Sequence, residues 1–352
     1  MFLGGIGTAT PARRYTKAEC WDAFTRSDWF ARLDRRSHLV TQAVLQHDNG
    51  IEARRLAVDS LDEVFSIDPD TLHARFAAHA PALAEQAARR ALDAAGLAAR
   101  EIDAVVVSTC TGYLCPALSS YVAERVGLRR DAQAFDLVGQ GCAAALPNWQ
   151  LSGALIGSGA HRHVLSVCVE VCSAAMYLDD DAGVLVSACL FGDGAGAAVL
   201  SREPRPGRRR VQWRDSASLL EPAAREALRF QSRGGLLRNV LTRAVPKLAA
   251  EHAREVLDTV LARSGVAQRD VAGWVMHAGG RDVLDALRRR FDVDAGAFAH
   301  SADVLREYGN LSSAFVYFVL QAALAAEGPG GAWWMSSFGA GFACHGALLA
   351  VE

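Results

Sequence analysis

Three observations predict an α/β fold built from two duplicated βα halves. Short β-branched or apolar runs alternate along the chain with longer segments of helical period, the pattern of a mostly parallel sheet between helical layers. Each half ends in Phe-Gly-x-Gly between apolar stretches: CLFGDGAGAAVLS at 189–201 and SSFGAGFACHGALLAVE at 336–352. Between them lies SREPRPGRRR (201–210), a Pro/Gly/Arg segment suited to a linker. The predicted halves are residues 1–205 and 206–352. The bland alternative is a chance likeness of two glycine-rich hairpins.

The elements follow in order. Residues 12–50 mix charges with scattered aromatics and read as short surface helices. Residues 71–97 have apolar positions at helical spacing and end on Gly96, a C-cap signal. DAVVVSTC (103–110) is a short apolar run, expected as a buried strand. A helix (118–128), a strand (132–139), a buried apolar helix (142–159) and a strand (163–171) follow, and 189–201 reads as strand, glycine turn, strand. In the second half a helix is expected over 236–264, a strand over 270–280 running into a glycine turn, and helices over 281–291 and 312–328. A strand–turn–strand over 331–352 closes the chain.

Composition narrows the function classes. The chain has 352 residues, 51% hydrophobic and 22% charged, which is ordinary for a globular protein. A net charge of −2 gives no electrostatic case for nucleic acid. RPGRRR (205–210) reads as a solvated loop. Eight cysteines are too few for a disulfide framework and sit mostly in apolar runs. The start of the chain lacks the basic and long apolar regions of a signal peptide, and the longest uncharged run, 137–160, is interrupted by Gln140, Pro147 and Asn148. A soluble, cytoplasmic protein with no membrane contact is expected.

Three residues at predicted element junctions, each beside glycine, carry candidate chemistry. Cys142, in VGQGCAAALPNW, falls between a strand and a helix, where a helix N-terminus would favour a thiolate. His277, in WVMHAGG, follows a strand and precedes a glycine turn. Asn310, in EYGNLSS, follows Gly309 before an apolar helix. Alone, each has a plainer reading: a core cysteine, a satisfied core histidine, a helix cap. Together they form a nucleophile, a proton acceptor and a pair of oxyanion donors. A zinc site from His161, His163, Cys168 and Cys172 is not expected, because Cys168 and Cys172 on one strand would be about 13 Å apart. GDGAG (192–196) is not a dinucleotide fingerprint, since a strand follows it.

With DLVGQGC, WVMHAGG, YGNLSS, LFGDGAG and SFGAGF in that order, the chain resembles type III polyketide synthases, the chalcone synthase-like branch of the thiolase superfamily. The likeness runs from about residue 70 to the end. It implies a thiolase-like αβαβα layered fold. It implies an acyltransferase that loads an acyl-CoA starter on Cys142 and extends it by repeated decarboxylative condensation with malonyl-CoA. His277 and Asn310 would hold the enolate oxygen, and Phe191 would wall off the malonyl carboxylate. Cys110, Cys172, Ala175 and Ser312 would line the pocket. Leu114, Cys115 and Pro116, in CTGYLCP, would cross to the partner subunit of a homodimer. Arg54 and Arg55 fall near where the family places cations for coenzyme A phosphates. Coenzyme A thioesters are the implied substrates, with no tightly bound cofactor and no metal.

The chain departs from the plant pattern at Ala340, at Cys110, Cys172 and Ala175, and at Asn239, which falls near the position of the family's second aromatic gatekeeper. These changes suggest a roomy pocket. They favour a fatty acyl starter giving an alkylresorcinol or alkylpyrone, with a malonyl starter giving a small polyhydroxylated aromatic as the other reading. Two rival functions share the triad. A ketoacyl-carrier-protein synthase III type usually has Gln-Ala-Asn after the histidine, where this chain has Ala278, Gly279 and Gly280. A Cys-His-Asn thiol hydrolase would need a completed nucleophile elbow, which GQGCA does not give.

Overall fold

The computed structural model describes residues 1–352. The strands are β1 (Phe2–Ala9), β2 (Arg14–Thr16), β3 (Ala53–Arg55), β4 (Ala104–Thr109), β5 (Gln133–Val138), β6 (His163–Glu170), β7 (Gly194–Ser201), β8 (Val211–Leu220), β9 (Leu228–Arg233), β10 (Leu236–Leu241), β11 (Val271–Met276), β12 (Gly331–Gly339) and β13 (Ala343–Val351). The helices are α1 (Lys17–Arg26), α2 (Asp28–Arg32), α3 (Arg35–Gln46), α4 (Pro69–Ala95), α5 (Leu118–Val126), α6 (Ala145–Gly157), α7 (Ala182–Leu190), α8 (Val245–Ser264), α9 (Arg281–Phe291), α10 (Ala299–Tyr308) and α11 (Phe315–Ala325).

Nine strands run in the order β11-β12-β13-β8-β1-β7-β6-β4-β5. The arms β5-β4-β6-β7-β1 and β8-β13-β12-β11 meet through one residue pair, Phe2 with Gln212. Between the arms lie α6 and α11. Outside the first arm pack α4 and α5. Outside the second packs α8, with α9 behind it. The result is five layers, αβαβα, with α11 buried along Phe315–Leu320. The expectation of a mostly parallel sheet is corrected. Only β4–β5, β4–β6 and β11–β12 are parallel, and every other pair is antiparallel. Apolar runs reveal that a strand is buried, not which way it points.

Other expectations need correcting. Residues 182–190 form α7, capped by Asp181, so the segment CL before Phe191 is helix end rather than strand. Residues 236–241 are strand β10, not the start of a helix; LLRNVL is too short for periodicity to separate the two. The surface helices of 12–50 bury one face, including Cys20, Phe24 and Leu45. Strand β1, at the middle of the sheet, carries no β-branched run because Gly4, Gly5 and Gly7 interrupt it.

Those glycines have a packing cause. The buried face of α4 is Ala84, Ala87, Ala88, Ala91 and Ala95, so the helix backbone approaches β1 closely. A Cβ on Gly7 would sit 2.5 Å from Ala87 O and Ala91 N, and one on Gly5 would sit 2.3 Å from Ala95 N. Helix α4 ends as its sequence indicates, on Gly96 at φ 55°.

The middle layer is stitched by polar groups. Trp149 Nε1 donates to Tyr317 Oη at 3.1 Å, tying α6 to α11. Asn148 Nδ2 donates to Val106 O on β4 and Val167 O on β6, anchoring α6 to the first arm. Pro147 sits in the first turn of α6 and offers no N–H to Ala143 O. That carbonyl instead accepts from Ser337 Oγ on β12 at 3.0 Å, so the turn before α6 is held by the second arm.

Gly7→Ala is expected to push α4 off β1, with a loss on the order of 3 kcal/mol. A urea-unfolding midpoint equal to that of the wild type would show that the close approach is not needed.

Candidate active site

Cys142 lies in a 3-10 turn, Gly141–Ala143, three residues before α6 begins at Ala145. It therefore precedes the helix rather than opening it. Gly141, at φ 54°, takes a left-handed turn against Ala340 that other residues rarely adopt. His277 directly follows β11, and its N–H continues the ladder to Ser336 O at 2.9 Å. Asn310 follows α10 through Gly309 (φ 69°), and its backbone bridges Phe191. A Cβ on Gly309 would sit 2.6 Å from Leu190 O.

Hydrogen bonds join these three junctions. Cys142 Sγ meets Ser312 Oγ at 3.3 Å. Ser312 N donates to Asn310 Oδ1 at 2.8 Å. Asn310 Nδ2 donates to Gly279 O at 3.0 Å, in the glycine turn after His277. One apolar cavity is lined by Cys142, Cys110, Cys172, Ala175, Phe191 and Ser312. All the pocket residues expected from the sequence thus share one space.

Desolvation governs the ionisation. His277 is 1% exposed, with its ring edge-on to Phe315 and Phe338. Neither ring nitrogen has a hydrogen-bond partner, so the cysteine's partner is Ser312 and not the imidazole. Burial holds the imidazole down at about 3. Burial pushes the Cys142 thiol up to about 12, against the lowering effect of the Ser312 contact. The expected resting thiolate is therefore corrected: sulfur and imidazole are both neutral near pH 7.

Glu170, which no sequence motif marks, belongs to the same site. It ends β6 fully buried, and accepts from Thr111 Oγ1 at 2.9 Å, Cys110 N at 3.0 Å, Ser312 Oγ at 3.3 Å and Ser313 Oγ. Burial raises its carboxyl, and the bonds from Ser313, Cys110 and Thr111 oppose that rise. A lone acid in the apolar run HVLSVCVEV was the available signal. Ser312, which touches Cys142, Cys110 and Glu170, has φ 51°, a costly angle for a non-glycine residue.

The expected coenzyme A cations are corrected. Arg54 is buried and donates to Ala188 O and Phe191 O. Arg55 is tied to Ala12 O and Glu307. Both are occupied in holding the N-terminal segment to the core. Leu114, Cys115 and Pro116 lie in the surface loop between β4 and α5 and do not line the cavity of their own chain. No group of three His, Cys, Asp or Glu side chains is placed to hold a metal. No helix is long and apolar enough to cross a membrane.

Within the layered αβαβα fold, the junctions after β5, β11 and α10 that carry Cys142, His277 and Asn310 are thus joined beside one apolar cavity. Residues 13–217 match the family model of FAE1/type III polyketide synthase-like proteins, and residues 217–350 match the C-terminal domain of chalcone and stilbene synthases. The 1,3,6,8-tetrahydroxynaphthalene synthase of Streptomyces peucetius subsp. caesius is 31% identical, over 99% of this chain and 92% of its own length. The 3,5-dihydroxyphenylacetyl-CoA synthase of Streptomyces toyocaensis is 30% identical, over 89% of this chain and 80% of its own. PKS-I from the brown alga Ectocarpus siliculosus superposes with a TM-score of 0.90 at 25% identity, covering 99% of this chain and 98% of that one. The chain belongs to the type III polyketide synthases, acyltransferases that condense coenzyme A thioesters.

The buried neutral imidazole makes stability pH-dependent. The folded His277 stays unprotonated where the unfolded chain, with a pKa near 6.5, takes up a proton. Its contribution is complete above pH 6.5 and is lost as pH falls toward 3. His345, held down at about 4, acts in the same sense. Melting temperatures between pH 7.5 and 4.5 should fall less steeply for His277→Gln than for the wild type. Parallel curves would show that His277 is not buried neutral.

Proposed function

We propose that Cys142 is the acyl-carrying nucleophile, and that His277 and Asn310 serve both its loading and the condensation. The observation that carries this is the hydrogen-bonded path Cys142–Ser312–Asn310–Gly279, which joins all three junctions beside one apolar cavity. As an acyl-CoA enters, the neutral imidazole takes the thiol proton while sulfur attacks the thioester carbonyl. The tetrahedral intermediate expels the coenzyme A thiolate, which recovers the proton from His277. Malonyl-CoA then loses CO2, and the bond electrons form an enolate. The enolate oxygen accepts from the imidazole N–H and from the second Nδ2 hydrogen of Asn310. Its carbon attacks the Cys142 thioester, giving a chain two carbons longer on coenzyme A and freeing the Cys142 thiolate, which takes a proton from solvent to restore the neutral thiol. The partnerless nitrogens of His277 support this role, because a substrate oxygen meets a demand the protein leaves open. Phe191, against the cavity and bridged to Asn310, would disfavour the malonyl carboxylate.

For the product we favour a small polyhydroxylated aromatic from a malonyl-CoA starter. Two of the relatives above are named for polyhydroxylated aromatic products. The α-pyrone polyketide synthase-like protein of Mycobacterium tuberculosis, 27% identical over 91% of this chain and 82% of its own, keeps the alkylpyrone reading as the second. A homodimer is part of the proposal. The β5 edge is unpaired with Val138 62% exposed, and Tyr113 in the 110–116 loop is 71% exposed. A division into halves at 205/206 is supported by the single residue pair joining the two arms.

Cys142→Ala should abolish chain extension while malonyl-CoA still loses CO2, and Asn310→Ala should slow decarboxylation about 10²- to 10³-fold. Labelled CO2 release and product mass spectrometry measure both. Unchanged product from Cys142→Ala would remove the nucleophile assignment. Strict dependence on a malonyl-carrier protein would favour the carrier-protein synthase.

A further inference from the structure

The β9–β10 hairpin and α7 line the same cavity as the Cys142 turn. Phe230 and Asn239 are directly paired across that hairpin, and both line the cavity beside Leu228 and Val184. Asn239 is 9% exposed, and with Ser187 and Arg229 it is one of the polar side chains on a wall otherwise made by Val184, Ala188, Leu228 and Phe230. Its Nδ2 donates to Ser187 Oγ at 2.9 Å. Ser187 Oγ in turn donates its only hydrogen to Gly183 O at 2.8 Å. The hydroxyl is therefore free only to accept, and this fixes which end of the amide faces it. Were the amide reversed, two acceptors would face each other. No protein group donates to the Oδ1 of this cavity-lining residue, which leaves it as the open acceptor.

We propose that Asn239 is a specificity-determining residue that accepts a hydrogen bond from an oxygenated chain in the cavity and discriminates against a saturated alkyl chain. The proposal rests on the polyketide reading above. An acceptor that a bound chain covers must find a donor on that chain or lose its hydration without return. An alkyl chain has no donor to offer. A chain made only of malonyl-derived units has 1,3-dicarbonyl groups, whose enol form presents an O–H. Sites built to bond a substrate hydroxyl reject analogues that lack it far more strongly than apolar pockets reject a change in size. Ser187 is the positioning residue, because its committed hydrogen sets the direction of the Asn239 amide.

The test compares the wild type, Asn239→Leu and Ser187→Ala with malonyl-CoA alone, and with malonyl-CoA plus a saturated C12 acyl-CoA. Products are identified by mass spectrometry, and kcat/KM is measured for each substrate set. Leucine is close in size to asparagine and apolar, so Asn239→Leu should shift the ratio of malonyl-only to alkyl-primed product toward the alkyl by about tenfold to a hundredfold. The malonyl-only products should also become shorter. Ser187→Ala frees the amide to turn and should shift the ratio the same way by less. If Asn239→Leu does not fold, Ser187→Ala alone decides the matter by the same ratio. Variants that condense but keep the wild-type ratio and chain length overturn the assignment of Asn239 and leave the polyketide reading standing. A wild-type protein that forms no carbon–carbon bond from either substrate set overturns both.

Discussion

The buried carboxylate of Glu170 is the constraint on which the site depends. It stands at the end of β6 in the first arm, and its partners come from the first arm and from the middle layer. Cys110 and Thr111 follow β4, whereas Ser312 and Ser313 precede α11 of the second half. Burying an acid is costly unless hydrogen bonds replace its hydration. Here those bonds fix the turn that carries Ser312, and Ser312 in turn touches Cys142. The strained backbone of Ser312 is stable because its hydroxyl and N–H are both held. The carboxylate thus sets the spacing of segments about 140 residues apart in the chain.

The same dryness sets the reactivity. Around Cys142 and His277 it favours the neutral thiol and the neutral imidazole over an ion pair. In the proposed cycle proton transfer to His277 accompanies attack on the thioester, and the later enolate oxygen gives the imidazole a partner that the protein does not supply. Apolar walls also strengthen each hydrogen bond made to the enolate.

Much of this was legible in the sequence. Glycines beside Cys142, His277 and Asn310 marked element junctions, and the structure brings those junctions together. The long helix ending at Gly96 and the helix over 281–291 were readable from periodicity and caps. What was hidden has physical causes. Strand β1 is glycine-rich because α4 packs against its backbone, so the residues that make it central also erase its strand signal. The β9–β10 hairpin and the direction of the central strands depend on tertiary pairing that local pattern does not encode. Arg54 and Arg55 looked like phosphate ligands because a charge in a sequence does not reveal that backbone carbonyls and Glu307 have taken it. The protonation of Cys142 depends on burial, which its neighbours in the chain do not report.

The most direct measurement of the central claim is the position of the first acyl group. Three thiols, Cys110, Cys142 and Cys172, line the same cavity. The protein is mixed with acyl-CoA in the absence of malonyl-CoA, quenched in acid and digested, and the adduct is located by mass spectrometry. The account predicts one acyl group per chain, on the peptide containing Cys142. An acyl group on Cys110 or Cys172 in the unaltered protein, or none on any thiol while product still forms, would contradict it.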